Sequence, residues 1–364
     1  MTKQRLMQAS RVPVLAVALF GLFLAAAAGP PQSRATARVV TPRTLYIEHG
    51  TIHKFAQDGD RISWIGGRQY VVHLRTVTGR RTLSGRSSWV LGHAGVGGAV
   101  GAQSASTLVL GGTRAVWVKY GGVMTREAGI WTSKPGQKKP MLIDAPGVSD
   151  YGGTYLTGVV ASGGTLLYGD AIVRYEPNGT YALTGGGVHR FTGKSYPPRI
   201  AGIPPAFKIA TGGRLVAVVP AKLLDPQRGT WGAEPNGPVD VYNLSGGRVG
   251  RVVPQGTVRE VALSWPDLAV IVTRSDGTTA VERYDAAHGR LITATTIPGA
   301  SNLAIGTGKI VFRVGNTIYT WWKIGTKPTV VWRSLGKPVG LSIEGRRVAW
   351  AANGRIRALN LPPR

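Results

Sequence analysis

The sequence has no cysteine, few acidic residues and little sign of amphipathic helices. Without cysteine, neither disulfides nor a lipid-modified cysteine can form, so the folded part depends on its core alone. Only 17 of the 364 residues are Asp or Glu, against 44 Lys and Arg, and the formal net charge is +27. Beyond the first residues, no long stretch keeps the apolar i, i+3, i+4, i+7 spacing of a surface helix. These features exclude a disulfide-stapled domain and argue against a helical protein.

The chain also lacks the short motifs that indicate common reactions or cofactors. The metal-binding sequence H-E-x-x-H does not occur among the six histidines. The run Gly92–Gly101 lacks G-x-G-x-x-G spacing, and neither a Walker sequence nor a G-x-S-x-G elbow is present. Asp58 and Asp60 are too few acids for a calcium loop. We therefore expect no cofactor and no metal, and the catalytic residues, if any, stay unknown.

The beginning of the chain is typical of an export signal. A basic start precedes the uncharged apolar run Val12–Ala28, and Ala35–Ala37 fits an A-x-A cleavage site. The apolar run is at the short limit for a membrane span, so an uncleaved anchor is the alternative. We predict a signal peptide at 1–37 and one folded domain at 38–364. That domain would be secreted, periplasmic or associated with the cell envelope.

A short phrase recurs seven times along the chain, at intervals of roughly 40 to 50 residues. It is a turn with Gly or Asp followed by an apolar run, as in Asp58–Trp64 (DGDRISW) and Glu344–Trp350 (EGRRVAW). All but the last copy are followed by a second Gly turn, often with a hairpin dipeptide between, such as Asn178-Gly179. The seven apolar runs contain Trp64, Trp117, Tyr168, Ala217, Val270, Phe312 and Trp350.

Four short antiparallel strands in each repeat are typical of a β-propeller blade. We therefore predict an all-β fold, a single β-propeller of seven four-stranded blades; a pair of β-sandwiches is the alternative. The last repeat has only three strands, because the chain stops soon after the hairpin at Asn353-Gly354. A spare strand, Thr44–His49, precedes the first repeat. We predict that this N-terminal strand completes the last blade and closes the ring.

Two stretches carry a resemblance to known proteins. Phe55–Trp64 (FAQDGDRISW) and Leu263–Val272 (LSWPDLAVIV) place a turn similar to S-P-D-G before an apolar strand. In this respect the chain resembles the TolB-type and WD-repeat-like extracytoplasmic propellers, and the similarity of pattern extends over the whole folded part. No repeat carries the phrase intact. The resemblance implies a propeller fold and a scaffold role, and it implies no particular partner.

An antiparallel meander of strands A to D places the A–B and C–D turns on one face of each blade. The B–C and D–A loops then lie on the other face. The short turns of the first face are rich in Lys and Arg, so we predict that this face meets an anionic partner. The residues proposed for it are Arg61, Arg80, Arg81, Arg114, Lys194, Arg214, Arg248, Arg290, Lys309 and Arg346.

The longest loops, Gly85–Ser106 and Pro220–Pro238, project from the second face. Long loops on a rigid scaffold often carry binding residues. For this face we predict contacts with a small ligand or peptide; for the tryptophans, packing of the loop onto the disc is the alternative. The residues are Trp89, His93, Asp150, Tyr151, Arg228 and Trp231.

Two functions fit these observations. The first is a monomeric, non-enzymatic module that binds a protein, an anionic cell-envelope polymer or a lipid surface. A basic chain also attracts nucleic acid, but no recognition motif is present, so we expect no specific nucleic-acid partner. The alternative is a propeller hydrolase or lyase acting on extracellular carbohydrate, which would need acids converging at one end of the central channel. The sequence favours the first and leaves enzymatic activity open.

Overall fold

All the regular structure in the described part of the chain is β-strand. A computed structural model describes residues 41–363 except 68–70, 79–81, 91–104, 122–126, 150, 235–236 and 323. Within these residues there is no helix that is long and apolar enough to span a bilayer. The predicted signal peptide at 1–37 lies outside the described residues and stays a prediction.

After one separate strand, the strands follow one another in groups of three to five, one group for each blade. That first strand is β1 (Arg43–Ile47). Blade 1 contains β2 (Ile52–Asp58), β3 (Arg61–Gly66), β4 (Val71–Thr78) and β5 (Thr82–Val90); blade 2 contains β6 (Ala105–Gly111), β7 (Arg114–Gly121), β8 (Glu127–Ser133) and β9 (Met141–Asp144). Blade 3 contains β10 (Val148–Ser149), β11 (Gly152–Ser162), β12 (Thr165–Tyr175) and β13 (Tyr181–Arg190).

The second half of the chain continues the pattern. Blade 4 contains β14 (Ala206–Gly212), β15 (Leu215–Asp225), β16 (Thr230–Ala233), β17 (Val239–Asn243) and β18 (Arg248–Val252); blade 5 contains β19 (Thr257–Ser264), β20 (Asp267–Thr273), β21 (Thr279–Asp285) and β22 (Arg290–Thr296). Blade 6 contains β23 (Ala300–Gly306), β24 (Lys309–Val314), β25 (Thr317–Trp321) and β26 (Thr329–Arg333); blade 7 contains β27 (Val339–Glu344), β28 (Arg347–Ala352) and β29 (Arg355–Asn360).

The seven sheets are antiparallel and are arranged in a ring. The inner strands β2, β6, β11, β14, β19, β23 and β27 each contact the inner strand of the next blade, and β27 contacts β2. Blade 7 is completed by β1, which pairs with β29 in the sheet order β1-β29-β28-β27. The predicted seven-bladed propeller, closed by an N-terminal strand, is therefore confirmed.

The core lies between the blades. Seven clusters of buried apolar side chains fill the seven interfaces between adjacent sheets. The apolar residue named above for each copy of the repeated phrase lies on the strand that follows the inner strand of its blade, and it is at most 2% exposed. The phrase recurs because every blade needs a large or well-packed apolar residue at this place. Burying such side chains is the main favourable contribution to folding.

Blade 3 departs from the pattern predicted for it. Its fourth strand is the short β10, which pairs with the start of the inner strand β11, and the outer position is reduced to a single bridge between His189 and Arg199. In blade 4 the predicted long loop Pro220–Pro238 is largely a β-hairpin, because β15 runs on to Asp225 and pairs with β16.

Every inner strand also carries a register shift at a corresponding point, about two residues from its start in most blades. Such β-bulges bend and twist a strand locally. At this level Gly340 lies so close to the backbone oxygen of Phe55 that a side chain there would collide with it. In blade 5 Glu260 lies at the bulge, and its carboxylate accepts hydrogen bonds from the amides of Asn302 (3.0 Å) and Leu303 (2.7 Å) in blade 6.

Candidate binding site on the turn face

The A–B and C–D turns form one face of the disc, here called the turn face, and it holds two neighbouring cavities. The first has a volume of about 550 Å³ and lies over the A–B turns of blades 5, 6 and 7. The second, of about 500 Å³, lies between blades 7 and 1. Arg346 lines both. We call the two cavities together the turn-face trough.

The first cavity combines an aromatic side chain with charged groups that already have partners. Trp265 is 38% exposed and lines it at the turn of blade 5. Asp267 accepts hydrogen bonds from Nε and Nη2 of Arg283, at 2.9 and 2.7 Å, which neutralises its charge. Lys309, predicted as an exposed contact residue, is instead 3% exposed, and its ammonium donates to the carbonyl of Pro362 at 2.7 Å.

The second cavity is lined mainly by arginines and carboxylates. Arg346 donates from Nε to the carbonyl of Leu361 at 2.7 Å, and Arg347 donates to the carbonyl of Gly59. Arg43, at the start of β1, reaches this cavity because the closing strand begins at the turn face. The other lining residues are Gly59, Asp60, Glu344 and Asn360.

Next to the second cavity, a buried carboxylate links three blades of the turn face. Asp58, 9% exposed, accepts hydrogen bonds from the amide of Gly112 at 2.5 Å and from the amide of Gly163 at 3.2 Å. These amides belong to the A–B turns of blades 2 and 3, so one side chain of blade 1 links three blades. Arg61 supports the link by donating to the carbonyl of Gly112 at 3.3 Å. Both oxygens of Asp58 are thereby engaged with backbone.

Glu344 is a half-buried carboxyl in the trough with a shifted pKa. Burial and then the negative charge of Asp58 raise the pKa of Glu344 above its usual range; a backbone hydrogen bond from Gly59 and the charge of Arg347 act in the opposite direction. A carboxyl of this kind can donate a hydrogen bond in its protonated form as well as accept one.

The basic residues predicted for this face fall into four groups. Lys194, Arg214, Arg248, Arg290 and Arg346 are exposed, whereas Arg61 and Arg114 are half-buried. Lys309 is buried, and Arg80 and Arg81 lie outside the described residues. Further exposed cations on the C–D turns are Lys134, Lys138, Lys139 and Lys327. Among the acids on the described turns of this face, Asp60 alone is exposed.

The long-loop residues predicted for the opposite face do not form one site. Trp89 is 5% exposed and donates from its indole to the carbonyl of Gln137 at 2.8 Å, so it belongs to the core. Trp231 packs against Tyr155, with ring centroids 4.7 Å apart. Arg228 and Tyr151 are exposed, and Arg228 pairs with Asp225 at 3.6 Å. His93 and Asp150 lie outside the described residues.

Positive charge is not confined to the turn face. On the opposite face, Lys337 on a loop and Arg174 and Arg355 at strand ends are exposed. In addition to its exposed cations, the turn face holds the trough. In the described part of the chain, no group of three or more His, Asp or Glu side chains could hold a metal ion.

The sequence did not indicate that Trp265 and Arg43 line the trough. Trp265 lies at the end of the inner-strand phrase of blade 5 and reads as one more apolar repeat residue. Arg43 precedes the first repeat, so only its role in the closing strand brings it to the turn face. The position of Arg43 could have been inferred from the predicted closure by an N-terminal strand, because the start of that strand must lie beside the end of β29.

The fold and the ring closure define the class of protein as a seven-bladed β-propeller, and comparison with solved structures supports this. The chain aligns with Sqt1 of Saccharomyces cerevisiae at a TM-score of 0.50 and 10% identity, over 89% of this chain and 100% of the other. It aligns with the β-propeller domain of the trilobed protease from Pyrococcus furiosus at a TM-score of 0.50 and 10% identity, over 85% of this chain and 94% of that one.

The Pyrococcus domain is described as having an open velcro topology. The ring of the present chain, by contrast, is closed by β1. BamB from Moraxella catarrhalis also aligns, with a TM-score of 0.47 and 12% identity over 86% of each chain. At 10% identity, the likenesses to Sqt1 and to the Pyrococcus domain show the fold alone. No protein-family model matches the chain, and a search of curated proteins finds no significant match.

Proposed function

We propose that the chain is an extracytoplasmic binding module whose turn face engages an anionic polymer of the cell envelope. The observation that carries this proposal is the balance of exposed charge on the turn face, where many Lys and Arg side chains accompany a single exposed acid among the described turns, Asp60. A surface of one sign attracts a polyanion over long range and gains free energy when counterions are released.

The finer points of this proposal come from the sequence. They are export by the segment 1–37, a location in the periplasm, the envelope or the medium, a monomeric state, and kinship with TolB-type propellers. The propeller supplies a rigid frame for such a role, because each blade is packed on both sides by buried apolar clusters. Binding residues carried on its turns are therefore held in fixed relative positions.

The test is the binding of long polyanions as a function of salt. The purified protein would be titrated with polygalacturonate, polyphosphate and polyglutamate at 50 and 300 mM NaCl. We expect all three to bind at low salt and the affinity to fall by roughly a hundredfold at the higher salt, as counterion release predicts. Affinity that does not change with salt, or no binding at low salt, would contradict the proposal. Preference for polyglutamate over both other polymers would point to an acidic protein as the partner.

A carbohydrate-degrading enzyme is the second candidate, and one observation favours it. Glu344 lies in the trough with a raised pKa, as a general acid requires. Glycoside hydrolysis usually needs a second carboxylate, and both oxygens of nearby Asp58 are engaged with backbone amides. Release of reducing ends from polygalacturonate by the wild type, abolished in Glu344→Gln with binding retained, would establish this alternative. The binding module predicts no turnover.

A further inference from the structure

The composition of the turn-face trough indicates which anion it accepts. We infer that the trough is a site for a short acidic oligosaccharide whose sugars carry carboxylates, held by Arg43, Arg346 and Trp265. This inference rests on the proposed function and narrows it from a charged face to one site and one chemical class.

The arginines of the trough have N–H donors that make no hydrogen bond within the described residues. Within the described residues, the side chain of Arg43 makes no hydrogen bond or ion pair, although it is partly buried. Arg346 uses only its Nε, towards Leu361, and keeps both Nη groups. A guanidinium binds a carboxylate through two parallel hydrogen bonds, which gives geometric specificity as well as attraction. The two arginines can therefore each take one carboxylate of an oligosaccharide.

The acids of the trough favour binding of a uronic acid over binding of a polyphosphate. Asp60 and Glu344 stand beside the arginines in the second cavity. A polyphosphate has no hydrogen-bond donors at neutral pH, so it would meet these carboxylates only with repulsion. Sugar hydroxyls, in contrast, donate to carboxylates and both donate to and accept from an amide such as that of Asn360. Arginine, carboxylate and amide groups together match a ligand that bears both carboxylates and hydroxyls.

Trp265 supplies the third element. The residue is 38% exposed and lines the first cavity, whereas Arg43 lines the second. The C–H groups of a sugar ring present an apolar surface that packs well on an aromatic side chain, whereas a phosphate chain has no such surface. The indole end of the trough thus favours a ring-containing ligand.

The dimensions also agree. Volumes of about 550 and 500 Å³ each fall within the roughly 300–1,000 Å³ typical of small-molecule sites. The two cavities extend over the turns of blades 5, 6, 7 and 1, so the trough offers room for several linked sugars rather than one.

The experiment is a calorimetric titration of the purified full chain at 150 mM NaCl. The probes are tetragalacturonate, the neutral galactose tetramer and tripolyphosphate. We expect tetragalacturonate to bind at least about tenfold more tightly than either of the others, which corresponds to one charge-assisted hydrogen-bonded pair. Equal or tighter binding of tripolyphosphate would overturn the inference, as would equal binding of the neutral tetramer.

Variants locate the binding. Arg43→Gln and Trp265→Ala should each weaken tetragalacturonate binding by about tenfold. Trp265→Phe keeps an aromatic ring and should stay within about threefold of the wild type. Arg214→Gln removes an exposed cation of the same face outside the trough and should leave the affinity within about twofold. Melting curves of all variants check that the ring is intact; tight binding by a folded Arg43→Gln or Trp265→Ala protein would refute the assignment.

Failure of this inference is distinguishable from failure of the proposed function. If long polyanions still bind with steep salt dependence while tetragalacturonate does not bind, the trough assignment is wrong and the basic-face proposal stands. If neither binds, both are wrong.

Discussion

At the residue scale, Asp58 is the side chain that links three blades on the turn face. It joins the A–B turns of blades 1, 2 and 3 through the amides of Gly112 and Gly163. An amide left without its charged acceptor in a half-buried place loses the bond and keeps part of its desolvation cost. We therefore expect Asp58→Ala to lower the free energy of unfolding by roughly 2–3 kcal/mol, measured by chemical denaturation.

The same turn provides the matched control for that prediction. Asp60 is exposed and makes no hydrogen bond through its side chain within the described residues. Asp60→Ala removes an equal charge and should change the unfolding free energy by less than about 0.5 kcal/mol. Equal losses from the two substitutions would show that the cost comes from net charge and not from the bridging bonds.

A second polar link lies inside blade 3, where His189 stacks on Tyr168 with ring centroids 4.6 Å apart. Nδ1 of His189 lies 3.0 Å from the carbonyl of Pro197, and Nε2 lies 3.2 Å from the carboxylate of Asp170. A carbonyl oxygen and a carboxylate both accept hydrogen bonds, so this arrangement favours the cationic ring, in which both nitrogens donate. Burial alone would lower the pKa of His189, but the hydrogen bonds to Asp170 and Pro197 outweigh it and raise the pKa above its usual value.

This raised pKa predicts a dependence of stability on pH. A histidine whose pKa is higher in the folded than in the unfolded chain stabilises fully below the unfolded value of about 6.5. That contribution is lost as the pH rises through the folded-state pKa. Denaturation of the wild type from pH 6 to 9 should therefore show a fall in stability that is absent in His189→Gln. Parallel pH profiles for the two proteins would contradict the assignment.

At the scale of elements, the five-residue strand β1 closes the ring by completing blade 7. Its side chains differ sharply in burial, and its register shifts between Thr44 and Tyr46: Leu45 is 6% exposed, whereas Ile47, at the end of the strand, is 56% exposed. Leu45 packs in the cluster between blades 7 and 1, with Trp64 and Ile356. Without β1 this interface would lose Leu45, and β29 would keep β28 as a partner on one edge only.

These two positions on one strand give a paired test of ring closure. Leu45→Ala creates a cavity in a packed interface and should cost roughly 2–4 kcal/mol of unfolding free energy. Ile47→Ala removes a side chain of the same size from the exposed end of the strand and should cost less than about 0.5 kcal/mol. Thermal and chemical unfolding of both variants would check this, and a stable Leu45→Ala protein would mean that the last blade is held by its other strands.

The elements also mark the limit of sequence-based prediction. The strand pairs were predictable because each blade repeats the same phrase around a buried anchor such as Trp64 or Trp350. The bulge in each inner strand was not, because the residues there differ from blade to blade, from Gly340 to Glu260. What they share is a place beside the next inner strand, and that place is a property of the ring.

At the scale of the whole molecule, the same reasoning explains why the fold was predictable and the trough was not. Blade number follows from a local pattern repeated along the chain. The trough brings together Arg43, Trp265 and Arg346, which are far apart in sequence and have no common local pattern. Some predicted cations, such as Lys309, proved to be buried and bonded to backbone, because sequence shows that a turn is basic but not which side chain folds inward.

The central claim is that the turn face, and not net charge alone, binds the anionic polymer. The most direct measurement compares two triple variants with the same loss of charge: Lys194→Gln/Arg214→Gln/Arg290→Gln on the turn face and Arg174→Gln/Lys337→Gln/Arg355→Gln on the opposite face. Affinity for polygalacturonate would be measured over a series of salt concentrations. We predict a weaker affinity and a shallower salt slope for the turn-face variant, and a nearly unchanged slope for the other. Equal slopes for the two variants would contradict the claim.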